Sequence, residues 1–410
     1  MAVIVGAFPA QDSAHAQDAQ QWTGSWGSAQ QAVCDQSQLP TRSFQGATLR
    51  ETVHLSLGGS QIRLRLANLF GKQPLLISSV AVARAQPGKL GVIDRKSSVL
   101  ARFNGATAVT VPPGAEVMSD NIPLSVQPLS GLAVSLMIDG APSCATSHPG
   151  ARATAFLLAG DHVTDELLTA AESFVHWYFL SAVDVSGGAS NGAVAVLGDS
   201  ITDGRGATTD GNDRWTDVLA ARLAPRKIAV LNFGIGGNRV LADGIGPSAL
   251  SRFEHDALGG TGVHTVIILE GINDLGLDRL KEHPQEDHDA LVNRLEMAMK
   301  GMVESAHQKG VCVLGGALTP YVGSGYYHPG PRSEADREKF NAWIRMSGAF
   351  DDVIDFDKML RDSAHPDRLA PDADSGDHLH PGPKGYQSMG EGVPLNLPAI
   401  TACPRTLPRK

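Results

Sequence analysis

One serine and, 177 and 180 residues later, an aspartate and a histidine have the types needed for a single nucleophilic centre. Ser200 follows an apolar run, Ala193-Val-Ala-Val-Leu197, and the pair Gly198-Asp199, while Asp377 and His380 stand in Asp377-His-Leu-His380. A hydroxyl becomes a competent nucleophile when an imidazole takes its proton and a carboxylate fixes and stabilises that imidazole. Attack on a carbonyl also requires donors for the oxygen that becomes negative. The sequence offers the backbone amides of Ser200 and Gly237 and the side-chain amide of Asn273. Gly237 lies in Asn232-Phe-Gly-Ile-Gly-Gly237-Asn238, where glycine permits positive φ and close approach, and Asn273 lies in Glu270-Gly-Ile-Asn273-Asp274.

These four stretches need a scaffold that gathers them. After about residue 190, short apolar runs alternate with amphipathic stretches: Ala193–Leu197 then Trp215–Leu223, Ile228–Phe233 then Ser248–Leu258, Val263–Glu270 then His288–Gln308, Val311–Ala317 then Glu334–Met346, and finally Val353–Phe356. Buried strands separated by helices predict a parallel, doubly wound α/β sheet covered on both faces. Loops after such strands converge on one edge, and all four candidate stretches fall in them.

Before residue 190 the pattern differs. Alternating runs broken by turn residues predict an all-β domain of sandwich or jelly-roll type. Leu49–Leu57, Gly58-Gly59 and Gln61–Ala67 read as a hairpin, and Ile77–Ala83, Ala108–Val111 and Leu132–Ile138 as further strands. Ser186–Ser190 reads as a linker. The expected organisation is a signal-peptide remnant at 1–16, with Ala14-His-Ala16 as cleavage site, a β-rich domain at 17–188 and the catalytic domain at 189–410.

The chain has 410 residues, net charge −9, no basic block and no 18-residue apolar run, which argues against nucleic acid and against a membrane span. The expected location is secreted or periplasmic; the number of subunits is left open. Of four cysteines, Cys34 and Cys144 could pair in an oxidising compartment. Cys312, in Val311-Cys-Val-Leu314, reads as a buried free thiol, and Cys403 is unassigned.

Four blocks in order resemble the SGNH hydrolases, the GDSL esterases and lipases: Gly198-Asp199-Ser200 with Ile201 where leucine usually stands, Gly237 in Gly234-Ile-Gly-Gly-Asn238, Gly271-x-Asn273-Asp274, and Asp377-x-x-His380-Pro381. The likeness spans roughly 192–395. It implies a flavodoxin-like sheet, a Ser200–Asp377–His380 triad, an oxyanion hole of Ser200, Gly237 and Asn273, and ester hydrolysis without cofactor or metal. The N-terminal region looks like one attached to some bacterial members.

His378 with His380 lacks a third ligand at metal-binding spacing, and His378 is expected to face solvent. Thr202 breaks the Gly-x-Ser-x-Gly elbow, disfavouring an α/β-hydrolase. Asp199, Asn238, Tyr321 and Tyr326 are candidates for substrate contact, the tyrosines from the loop Pro320–Pro331; Asn238 is equally readable as a helix cap. The expected activity is hydrolysis of carboxylic esters with short acyl chains through an acyl-enzyme. The alternatives are a carbohydrate acetylesterase acting on xylan or pectin and, in another class, a non-catalytic carbohydrate-binding protein. The expected partner is a small ester or an acylated carbohydrate.

Overall fold

Strands buried on both faces need apolar residues at every position, and Ala193–Leu197 is wholly excluded from solvent. This run is an interior strand of a five-stranded parallel sheet in a computed structural model that describes residues 21–35, 39–278, 284–401 and 403. The strands Ala193–Gly198, Ala229–Gly234, Val263–Leu269, Cys312–Gly316 and Asp352–Ile354 lie in spatial order 2-1-3-4-5. Helices Trp215–Leu223, Ala249–Asp256, Gln285–Gln308 and Pro331–Met346 connect them. The order in which strands are added reverses between the first and third strands, where the flavodoxin-like order opens a crevice at the strands' carboxyl ends. Ser200 follows the first strand and Asn273 the third. The predicted signal-peptide remnant lies outside the described residues.

The named strands of the N-terminal region all pair antiparallel. One sheet joins Glu172–Val175, Thr154–Ala159, Ala47–Leu55, Ser130–Gly140 and Leu75–Arg84, the last also pairing with Val99–Leu100 and Val109–Val111. A second joins Trp22–Gly27, Leu180–Ser186, Gln61–Asn68 and Ala115–Met118, and a short third joins Trp177–Tyr178, Ala145–His148 and Gln31–Val33. The predicted hairpin does not form. Its strands exist, but Ala47–Leu55 pairs with Ser130–Gly140 and Gln61–Asn68 with Leu180–Ser186, in different sheets. Gly58 and Gly59 carry the chain between sheets through a tight crossing: a Cβ on Gly59 would lie 2.4 Å from the Ser186 carbonyl oxygen.

The two regions are seamed together. Trp22–Gly27 lies over the edge strand Ala229–Gly234, where Gly24 and Gly27 leave room for Leu231 and Phe233. Ser56 Oγ accepts the Val230 N–H at 3.2 Å, occupying a backbone donor that an uncovered edge would expose. Two disulfides close the fold. Cys34–Cys144 joins as the sequence suggests, whereas Cys312 is bonded to Cys403 and is no free thiol. Burial alone cannot distinguish a thiol packed as a small hydrophobe from half of a buried disulfide.

Candidate active site

Glycine and aspartate before Ser200 turn the chain sharply from strand into helix. Asp199 caps the short helix Ser200–Asp203, its carboxylate accepting the Ile201 N–H at 2.9 Å, and Gly204 ends it at φ +98°. Ser200 is thus held where the first strand ends, 5% exposed at the floor of a cleft. Its Oγ lies 2.8 Å from His380 Nε2. His380 Nδ1 lies 2.7 Å from Asp377 Oδ2, and Asp377 Oδ1 accepts the His380 and Leu379 N–H groups at 2.8 and 3.1 Å. Burial alone would raise the Asp377 pKa; bonds from the His380 ring and these amides, with the imidazole's charge, instead hold it well below the usual carboxylate range. The carboxylate is therefore an anion suited to orient the ring and stabilise its protonated form.

The candidate oxyanion donors come from two further loops. Gly237 sits at φ +71°, a conformation that favours glycine; a Cβ there would meet only the tip of the exposed Ile245 side chain, which can move aside. Asn273 Nδ2 donates to the Asn238 carbonyl at 2.6 Å, and its Oδ1 accepts from the Tyr327 hydroxyl. Anchored at both ends, the Asn273 amide lines the cleft, and its nitrogen carries a second N–H beyond the one given to Asn238. Burial first, then the charges of Asp199 and Asp274, pushes the Tyr327 phenol up to about 12, so it remains a neutral donor near neutral pH. Tyr327 is a positioning residue that the sequence reading passed over. Its aromatic-rich loop, from which the sequence suggests Tyr321 and Tyr326, is the signal that could have found it.

A second missed residue is Arg252. Only 5% exposed, it donates to the carbonyls of Phe233 and Gly198 and to Asn238 Oδ1, and pairs with Asp256. One guanidinium thus ties the end of the nucleophile's strand to the loop after Gly237. The spacing Ser248–Arg252–Asp256, two ionisable groups one turn apart on a helix's inner face, was the available clue. Glu270 lies 3.6 Å from Arg252 and is fully buried; burial and the nearby Asp199 drive its pKa well above the usual range. Burial, with the charges of Asp274 and Asp203, raises Asp199 to about 7.

Not every candidate reaches the cleft. Ser200, Gly237, Asn273, Tyr326 and His380 line it. Asp199 and Asn238 do not: both are 1% exposed, Asp199 as a cap and Asn238 with Nδ2 on the Pro247 carbonyl and Oδ1 on Arg252. Tyr321 is wholly buried, its hydroxyl 3.3 Å from the Ser333 carbonyl. Polar groups following a strand or loop read alike in sequence whether they cap backbone or face a ligand. His378 projects outward and meets Asp374 at 2.5 Å, its side chain 59% exposed.

The cleft, of about 320 Å³, has one wall from the N-terminal region: Gln31, Pro149, Gly150 and Arg152. That wall is pinned at Asp203, whose carboxylate meets His148 Nε2 at 2.8 Å, while His148 Nδ1 meets the Ala29 carbonyl at 2.8 Å. Gly150 packs so closely on this carboxylate that a Cβ would lie 1.8 Å from Oδ2. The arrangement is suited to acyl transfer by a covalent serine route.

Residues 196–388 match the GDSL-like Lipase/Acylhydrolase family. No curated protein matches the chain. Among solved structures, a lipase/acylhydrolase from Enterococcus faecalis is 22% identical, with 49% of this chain and 92% of that chain covered and a TM-score of 0.37. A carbohydrate acetylesterase from Sinorhizobium meliloti is 16% identical over 49% and 95%, with a TM-score of 0.38. A family two carbohydrate esterase from Cellvibrio japonicus is 12% identical over 93% and 95%, with a TM-score of 0.38.

Proposed function

We propose, from the premise that residues 196–388 form a GDSL-like lipase/acylhydrolase domain and that the chain is a carboxylic ester hydrolase, that Ser200, His380 and Asp377 are its catalytic triad. The hydrogen-bonded chain from Ser200 Oγ through His380 to Asp377, at 2.8 and 2.7 Å, carries this reading. Ser200 Oγ attacks the ester carbonyl as its proton passes to His380 Nε2. The resulting oxyanion takes bonds from the N–H groups of Ser200 and Gly237 and from Asn273 Nδ2. Collapse expels the alcohol, protonated by His380, and leaves the acyl group on Ser200. Water, deprotonated by the same imidazole, then attacks and frees the acid.

Short acyl chains are the proposed substrates. A cleft of about 320 Å³ is at the small end for ligand sites, and its donor side is bounded closely by Gly236, Gly237 and Ile245. Hydrolysis of p-nitrophenyl acetate, butyrate and octanoate tests this: the shorter esters should be preferred, and faster cleavage of octanoate would overturn it. Polar groups along the walls, Gln31, Arg152, Arg205 and the Tyr326 hydroxyl, favour a second reading in which the alcohol is an acetylated sugar; acetate release from acetylated xylan tests that. The assembled triad supports catalysis over a purely carbohydrate-binding role.

Residues 17–188 are proposed as an accessory domain that builds one cleft wall, and 189–410 as the catalytic domain. Among the described residues no helix is long and apolar enough to cross a membrane. Two disulfides support a secreted or periplasmic location, since such bonds persist in oxidising compartments.

A further inference from the structure

We propose that the alcohol side of the cleft is a subsite for an oxyanionic group, a carboxylate of the uronic acid type or a sulfate, held by Arg152 and Arg205; this rests on the esterase reading above.

The position of the leaving group is set by the imidazole. His380 Nε2, 2.8 Å from Ser200 Oγ, has to hand its proton to the departing oxygen, so the alcohol occupies the imidazole's side of the cleft. The donors at Gly237 and Asn273, with Ile245 against Gly237, define the opposite side. Tyr326 stands beside the imidazole, its ring edge-on to His380 with centroids 5.8 Å apart. Arg205 is coupled to that ring: its Nη2 donates to the Tyr326 hydroxyl at 2.5 Å, and its guanidinium carbon lies 5.4 Å from the ring centre.

Arg152 lines the same cleft from the N-terminal wall. Its carbonyl accepts the Asp210 N–H at 2.8 Å, and the Asp210 carboxylate accepts the Thr154 N–H and hydroxyl at 2.7 and 2.6 Å. These bonds clamp segment 152–154 to the loop that follows Arg205. Arg152 sits there at φ +48° with its Nε buried and without a protein acceptor.

What sets these two arginines apart is their place in the cleft together with the lack of a carboxylate partner; other arginines without one, such as Arg222 and Arg226, donate to backbone carbonyls away from it. Arg63, Arg84, Arg214, Arg252, Arg337 and Arg345 each have a carboxylate within 3.3 Å. Among the described residues neither Arg152 nor Arg205 has one, although both line the cleft. Asp203, a carboxylate that lines the same cleft, is engaged by His148 at 2.8 Å. A chain of net charge −9 therefore presents two uncompensated guanidiniums beside its nucleophile. Guanidinium forks bind planar oxyanions through paired, charge-assisted bonds, which a neutral sugar hydroxyl does not reproduce.

The test compares three acetates that differ only in the alcohol: 3-carboxyphenyl, 3-sulfophenyl and 3-carbamoylphenyl acetate, each rate normalised to hydroxide-catalysed hydrolysis. The wild type should show kcat/KM about tenfold higher or more for at least one anionic ester than for the carbamoyl ester, and raising salt should shrink that preference. The carboxyl and sulfo arms identify which anion is read. Arg152→Gln and Arg205→Gln should each lower the anionic-to-neutral ratio several-fold. The salt dependence of the wild type serves if a variant folds poorly. Equal normalised rates for all three esters, or a ratio unmoved by salt and by both substitutions, would overturn the subsite while leaving the esterase intact. Undiminished hydrolysis of the neutral ester by Ser200→Ala would instead remove the reading on which it rests.

Discussion

Replacing Tyr327 with phenylalanine removes one hydroxyl and isolates how the oxyanion amide is held. The ring packs face-on over Gly276, where even a Cβ would lie 2.5 Å from it, so phenylalanine retains the packing. What disappears is the bond to Asn273 Oδ1. The amide keeps its other anchor, Nδ2 to the Asn238 carbonyl at 2.6 Å, so it loses orientation rather than position. The loss therefore falls between the net value of one hydrogen bond, about 1 kcal/mol, and the roughly 3–4 kcal/mol seen when an oxyanion donor is deleted. The lower part of that range corresponds to a fall of about tenfold in kcat. KM should change little, because the oxyanion exists only after attack. Steady-state hydrolysis of p-nitrophenyl acetate gives the single-variant result. A double-mutant cycle with Asn273→Ala tests the cause, since Tyr327→Phe should have almost no further effect once the amide is gone. A full tenfold loss in the Asn273→Ala background would refute the positioning role.

Three further outcomes follow from the same geometry. Ser200→Ala should abolish ester turnover and leave the thermal midpoint nearly unchanged; retained turnover would remove the nucleophile assignment. Folded Asp199 keeps its proton up to about pH 7, whereas an unfolded aspartate releases it near about 3.9, so its contribution to stability is complete at low pH and is lost as pH rises between those values. Asp199→Asn, which keeps the cap acceptor, should flatten that decline and raise the midpoint at pH 8, and an unaltered slope in thermal melts would contradict the shift. Cys312→Ser should destabilise the fold by about 2–4 kcal/mol in denaturant titrations, because the bond to Cys403 closes a long loop; no loss would argue against that pairing.

The catalytic half was largely legible because its physics is local. A strand buried on both faces announces itself as Ala193–Leu197 does, and helices such as Trp215–Leu223 carry their own periodicity. The N-terminal half gave up its strands but not their partners. Pairing in an antiparallel region depends on side chains far apart in sequence, and Gly58-Gly59 serves a crossing between sheets as readily as a turn. Cys403 sits beyond the last periodic segment, so nothing marked it as the partner of Cys312. Within the site, residue type suggested roles but not directions. Asn238 and Asp199 satisfy backbone groups, and among three tyrosines of one loop only the folded path shows that Tyr321 turns inward, Tyr326 flanks the imidazole and Tyr327 holds Asn273. The buried Arg252, tying Gly198 to Asn238, was hidden because a cation on an apolar helix face is readable only with its acceptors in view.

The most direct measurement is intact-protein and peptide mass spectrometry after treatment with a fluorophosphonate, which reacts only with a serine whose proton is drawn off by a neighbouring base. The account predicts one adduct per chain, on Ser200, formed in step with the loss of esterase activity and absent from His380→Ala. Labelling at another residue in step with inactivation, or full inactivation with Ser200 unmodified, would contradict it.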